Sequence, residues 1–127
     1  MALNTSAHGI ILFAHGSRDA LWRLPIEAVA KQIRTQSPNT VVDCAYLELT
    51  APDLASSVAS MIDKGIHDIT IVPMFLGVGK HAREDLPELV LQMQKAHPHM
   101  VFNLRRAIGE EPQMTQMMAT IALQSIG

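Results

Sequence analysis

Apolar positions along the chain follow two alternating rhythms. Gly9-Ile10-Ile11-Leu12-Phe13-Ala14 is an unbroken apolar run, the pattern of a strand covered on both faces. Trp22, Ile26, Val29 and Ile33 recur at helical spacing, and Ser37-Pro38-Asn39 stops that helix. Val41 to Leu47, rich in β-formers, predicts a second strand. Thr50-Ala51-Pro52-Asp53 reads as a helix start, with an early proline and an acid three residues after the threonine. Leu54, Val58, Met61 and Ile62 supply the stripe of that helix, and Gly65 a left-handed cap. Asp68 to Phe75 predicts a third strand whose pairing stops near Pro73. Leu86, Leu89, Val90, Met93 and His97 share one face of a third helix, and Met100 to Leu104 is a short fourth strand. Glu110 and Glu111 precede Pro112 at the start of a last helix, striped by Met114, Met117, Met118 and Ile121.

Strands alternating with helices across short joints predict an α/β fold: a parallel sheet with helices on both faces. The expected domain is a single three-layer unit over residues 1–127, with residues 1–8 a mobile N-terminal stretch. The expected strand order is 2-1-3-4, in which winding reverses between strands 1 and 3. Ligands bind at the carboxyl ends of strands beside such a switch point. The loops there follow Ala14 and Phe75, so topology singles out two segments before any motif is considered.

The 127 residues suffice for one core,. Apolar residues make up 48% and charged residues 17%, which excludes intrinsic disorder,. Aromatics are only 4%, so the core must rest on aliphatic residues and Met. A net charge of -2 provides no basic field for nucleic acid, so an anionic ligand needs a local cationic cluster,. Cys44 is the only cysteine; this suits a reducing compartment, and its strand position suits a small buried apolar residue,. No signal peptide is visible, no apolar run approaches the ~20 residues that span a bilayer, and the expected location is the cytoplasm, away from any membrane.

His15-Gly16-Ser17-Arg18-Asp19 follows strand 1 directly. Gly16 permits a sharp turn or a close approach, and Ser17 and Asp19 can cap the next helix. After strand 3 comes Phe75-Leu76-Gly77-Val78-Gly79-Lys80-His81-Ala82-Arg83. Its two glycines imply a flexible or sharply folded loop, and His81 stands near a helix start. The segment lacks the spacing of a nucleotide P-loop and has no Ser or Thr after the lysine. Tyr46-Leu47-Glu48-Leu49 ends strand 2, placing a carboxylate on the same rim. Convergence of the three segments would join two imidazoles and a carboxylate, a donor set suited to zinc, iron, nickel or cobalt. Three ligands with open positions describe a site that exchanges metal. The other histidines carry no such expectation: His8 falls in the terminus, His67 in a turn, and His97 and His99 in a helix-to-strand turn.

At these residues the chain resembles the small, single-domain sirohydrochlorin chelatases, the CbiX-like group of class II chelatases. The resemblance runs from Gly9 to about Leu123 and is carried by His15-Gly16-Ser17-Arg18, Tyr46-Leu47-Glu48 and Pro73 through Pro87. Glu110-Glu111-Pro112, after Gly109, resembles the family's lead-in to its last helix. The resemblance implies a chelatase fold, a homodimer, and insertion of Co²⁺, Fe²⁺ or Ni²⁺ into sirohydrochlorin, with the metal as substrate and no tightly bound cofactor. It implies His15 and His81 as metal ligands and catalytic residues, with Glu48 beside the macrocycle as proton acceptor. Arg18, Lys80 and Arg83 would hold the carboxylates of the macrocycle. Ser17, Phe75, Leu76, Gly77 and Gly79 would complete the substrate surface. A non-catalytic metal or tetrapyrrole carrier would use the same residues. A histidine-nucleophile phosphatase is disfavoured, since that chemistry wants an arginine where Ala14 stands.

Overall fold

Strand β1 (His8–Ala14) has a parallel partner on each edge. With β2 (Val41–Tyr46), β3 (Asp68–Pro73) and β4 (Val101–Leu104) it forms a four-stranded sheet in the order β2-β1-β3-β4, as the sequence predicts. Gly9 pairs with Val41 and Ala14 with Tyr46 on one side, His8 with Asp68 and Phe13 with Pro73 on the other. The computed structural model describes residues 8–126. The helices are α1 (Leu24–Gln36), α2 (Leu54–Asp63), α3 (Lys80–Ala96) and α4 (Pro112–Gln124), with 3-10 turns at Ala20–Arg23 and Ile108–Glu110. None of these helices is long and apolar enough to cross a membrane.

The pleat of β1 divides the core in two. Ile11 and Phe13 point to the larger half, packed with Val58 and Met61 of α2, Ile69 and Ile71 of β3, and Leu86 of α3. Leu12 faces the smaller half, with Ala30 of α1 and Val42 of β2. At about 25 cal/mol per Å² of apolar surface, full burial of each such side chain contributes roughly 1.5–3 kcal/mol, which is why an unbroken apolar strand takes the centre. The two faces are covered unequally. Helix α4 contributes no buried residue, and its Met117 and Ile121 are more than half exposed. A groove of about 480 Å³ lies where α4 approaches the sheet, lined by Ile10, Val72 and Met114 among others.

Several local expectations change. His8 is not in a loose terminus: it opens β1, and its Nε2 lies 2.8 Å from Thr70 Oγ1. The rest of the expected mobile stretch, residues 1–7, lies outside the described residues. Trp22 falls in the 3-10 turn ahead of α1, and Val29 is exposed, because α1 covers the edge of the sheet rather than its middle. The cap of α2 is Asp53 rather than Thr50. Its carboxylate accepts from Ser56 N at 2.8 Å, and the Ser56 hydroxyl together with this N–H lowers the Asp53 carboxyl from its ordinary value. Thr50 instead reaches across to the β1 loop: its Oγ1 accepts from Ser17 N and donates to Ser17 O. Asp19 does cap the 3-10 turn, accepting from Leu21 N at 2.9 Å. Gly65 is left-handed at φ 83°, as its cap role requires,.

The loops after β1 and β2 stay joined beyond the sheet. Leu47 N donates to Ala14 O, and Glu48 N donates to His15 O at 3.0 Å. Gly16 makes this possible: its φ is 98°, and a Cβ there would fall on the Glu48 carbonyl. Gly16→Ala should therefore cost about 2–4 kcal/mol, combining left-handed strain with the clash. Urea denaturation measures this; a loss below about 1 kcal/mol would mean that the loops separate easily.

Candidate active site

The joined loops form one wall of a small pocket at the carboxyl end of the sheet. The loop from β3 to α3 forms the other. That second loop leaves the sheet beside β1, where Met74 N donates to Phe13 O at 2.7 Å. It is braced from behind by Gly109, whose N–H donates to Phe75 O at 3.0 Å. Gly109 lies so close that a Cβ would overlap the Leu76 backbone. Phe75 is thereby held inward at 6% exposure, edge-on to Phe13 with ring centroids 6.4 Å apart.

The pocket encloses about 130 Å³ and is lined by His15, His81, Asp85, Leu47, Phe75 and Leu89, with Phe13 and Leu86 beneath. The His15 ring lies against Phe75 at a centroid distance of 4.4 Å, tilted by 35°. His81 is the second residue of α3. Residues four apart on a helix share a face, and His81, Asp85 and Leu89 form that row here. Both histidines thus line one pocket beside the β1–β3 switch point.

The carboxylate differs from the one the sequence singles out. Leu47, not Glu48, lines the pocket; Glu48 is exposed and outside it. The chain bends over residues 47–50, beyond the end of β2, and Leu49 is left-handed at φ 66°; this bend leaves Leu47 at the pocket and Glu48 outside it. Among the described residues, no three His, Cys, Asp or Glu side chains gather closely enough to hold a metal ion, so the expected convergence of His15, His81 and Glu48 does not occur. Asp85 is the residue that sequence reasoning missed. Its signal was available in the helical spacing, one turn on from His81 and one residue before the apolar stripe that begins at Leu86.

The remaining candidates spread around the mouth. Leu76 is 72% exposed. Lys80 is exposed at the start of α3, while Arg83 donates to Val78 O at 2.9 Å and lines an adjacent cavity with Val78 and Leu86. Gly77 and Gly79 have open space around them and no left-handed φ, so the loop makes no conformational demand for glycine. Ser17 and Arg18 lie on the far side of the joined loops, lining a separate groove with Tyr46. Arg105 and Arg106 are engaged by Glu111, at 2.9 and 3.6 Å. Glu111 therefore serves as an ion-pair anchor, and its side chain does not cap α4.

Residues 9–124 match the CbiX family model. Among curated proteins, the chain is 28% identical over 81 residues to the sirohydrochlorin cobaltochelatase of Methanopyrus kandleri, covering 64% of this chain and 57% of that protein. It is 32% identical over 82 residues to the sirohydrochlorin cobaltochelatase of Methanococcoides burtonii, covering 65% and 63%. Each match spans less than two thirds of the relative's length. Among solved structures, the CbiX protein of Marinobacter aquaeolei VT8 superposes with a TM-score of 0.82 at 31% identity, covering 94% of this chain and 97% of that one. The sirohydrochlorin chelatase SirB from Bacillus subtilis subspecies spizizenii, solved with cobalt, superposes at 0.77 and 20% identity; 93% of this chain covers half of it. At that identity the likeness is one of fold.

The His15–Phe75 contact has a spectroscopic consequence. Phe75→Leu should leave the protein folded, at a cost of about 1–2 kcal/mol, and move the His15 ring-proton resonances downfield as the shielding aromatic face is lost. Unchanged His15 shifts in a folded variant would mean that the two rings are not in contact in solution.

Proposed function

The chain belongs to the CbiX family, and from that premise and its paired histidines we propose that it inserts a divalent metal ion into sirohydrochlorin. The observation that carries this reading is the meeting of His15, His81 and Asp85 in one pocket, from segments far apart in sequence. The two imidazoles are donors suited to cobalt, iron or nickel, with Asp85 beside them as a proton acceptor rather than a third ligand. A donor set this sparse suits a metal in transit, which must be released as readily as it is bound.

Metallation exchanges two pyrrole N–H protons for one divalent ion, so two protons must leave. His15 and His81 present the metal through neutral ring nitrogens. Asp85 is placed to accept a proton, with Glu48 at the outer rim as a second acceptor toward solvent. The pocket is too small to enclose a tetrapyrrole, since cavities that bury a sizeable ligand run to roughly 300–1,000 Å³. The macrocycle therefore lies across the mouth, against Leu47, Leu76 and the edge of Phe75. Lys80 and Arg83 stand beside it, and Arg18 lies across the ridge, as partners for its carboxylates. In this reading the far face of the macrocycle is covered by a second copy of the chain. The exposed Met117, Ile121 and Leu123 of α4 support a homodimer. The single cysteine fits a cytoplasmic setting,.

Mixing the protein with sirohydrochlorin and Co²⁺, Fe²⁺ or Ni²⁺ without oxygen, and following the visible spectrum, tests the activity and ranks the metals. A rate equal to the protein-free control for all three metals would refute it. His15→Ala and His81→Ala should each lower the rate roughly 10²-fold or more with the fold intact, and Asp85→Asn by less. Full activity in both histidine variants would remove this pocket from the chemistry. Sedimentation at micromolar concentration should give a dimer.

A further inference from the structure

A cavity of about 640 Å³ opens on the other side of the joined loops from the histidines. Strand β2 contributes Cys44 and Tyr46 to it, α1 contributes Glu27 and Arg34, and the segment between β1 and α1 contributes Arg18 and Arg23. Three guanidiniums thus face one carboxylate. Glu27 Oε2 accepts from Arg23 at 3.2 Å, which neutralises one of them. Arg34 donates to Val42 O at 3.1 Å, leaving its charge uncompensated there. Arg18 has no ion-pair partner among the described residues. In a chain of net charge -2 this is a local excess of positive charge.

Tyr46 supplies a second, independent observation. The residue is 2% exposed, and its phenol oxygen is fully buried with no oxygen or nitrogen partner, only the weakly bonding Cys44 thiol beside it. The Cys44 thiol beside it is directed to Ile26 O instead, at 3.9 Å. Burial, reinforced by Cys44 and Glu27, pushes the phenol up to about 12, so it remains a proton donor across the physiological range. A buried O–H without an acceptor is costly, and native structures rarely leave one without a reason.

From this geometry we infer that the groove is a second ligand site, one that takes a small oxyanion through the arginine forks and, as the side chains sealing the phenol part on binding, the Tyr46 hydroxyl. Planar or tetrahedral oxygens match guanidinium geometry, and the same oxygens would accept from the phenol. Two sources carry such oxygens: a free phosphate or dicarboxylate, and a carboxylate arm of a macrocycle reaching over the ridge. Only the second rests on the function proposed above.

Calorimetric titration of the full chain with inorganic phosphate and with malonate, in the absence of metal and tetrapyrrole, tests the first source. Titration with sirohydrochlorin, followed by absorbance, tests the second. Tyr46→Phe removes one oxygen and keeps the ring. It should weaken the relevant ligand roughly 10-fold or more, as expected for a hydrogen bond to a charged group. Without ligand the same variant should be at least as stable as the parent, because an unpartnered polar group is gone. Arg34→Gln should weaken the same ligand. Dependence on Tyr46 with either free anion supports a free-ligand site, and dependence with sirohydrochlorin alone supports the tethered arm. Equal binding by parent and Tyr46→Phe to all three, or no binding at all, overturns the site. None of these measurements reads metallation, and sirohydrochlorin binding that persists unchanged in Tyr46→Phe marks failure of this site without failure of the proposed function.

The phenol also predicts a pH effect. Tyr46 is the only tyrosine, so tyrosinate absorbance reports it alone. It should titrate near 12 in the folded protein rather than at the ordinary 10.0. Between those values the unfolded chain has already released the proton and the folded one has not, so stability falls as pH rises through that window. Tyr46→Phe should show a smaller loss over the same range, and a titration midpoint near 10.0 would mean that the phenol is solvated.

Discussion

Strand β1 carries four consecutive residues, Ile11 to Ala14, at no more than 2% exposure. A parallel strand buried this completely needs a partner on each edge and helices on each face. That requirement fixes β2 and β3 beside it and fixes where the winding reverses. The pocket follows from it, since the loops leaving β1 and β3 must part at the same end. His15 is the first residue beyond β1, and the chain after β3 turns back toward it through Phe75.

The loops around this point are joined as firmly as the strands below them. Hydrogen bonds from Leu47 to Ala14, from Glu48 to His15 and between Thr50 and Ser17 extend the β1–β2 pairing past the sheet. The resulting ridge divides the rim in two. An apolar pocket with two histidines lies on one side, and a cation-lined groove with a buried phenol lies on the other. Gly109 performs the matching task behind Phe75, so a residue late in the chain sets the position of an aromatic ring against a histidine near its start.

Much of this was legible in the sequence. An uninterrupted apolar run identifies a central strand, and βα alternation identifies the switch point; together they bring His15 and His81 to one site. The remainder depended on information that periodicity does not carry. Whether Leu47 or Glu48 faces the pocket is a question of phase in a segment beyond the strand. Asp85 needed the helix to be read from His81 rather than from its apolar stripe. Thr50 has the composition of a cap, but a competing partner on another loop claims its hydroxyl. The Met-rich stripe of α4 suits either core packing or a dimer face, and the structure leaves it largely uncovered, with no residue of α4 buried.

The central strand is also the first of the four strands in chain order. Its partner β3 begins at Asp68, which pairs with His8, so one edge of β1 stays unpaired until a segment about 60 residues further on has left the ribosome. Until then an apolar strand of high β-propensity has an open edge and an uncovered face, the circumstances in which nascent chains associate wrongly. Contacts of such long sequence separation also slow folding. The arrangement that builds the rim so firmly therefore also lengthens the interval in which the emerging chain carries an unpaired apolar edge,.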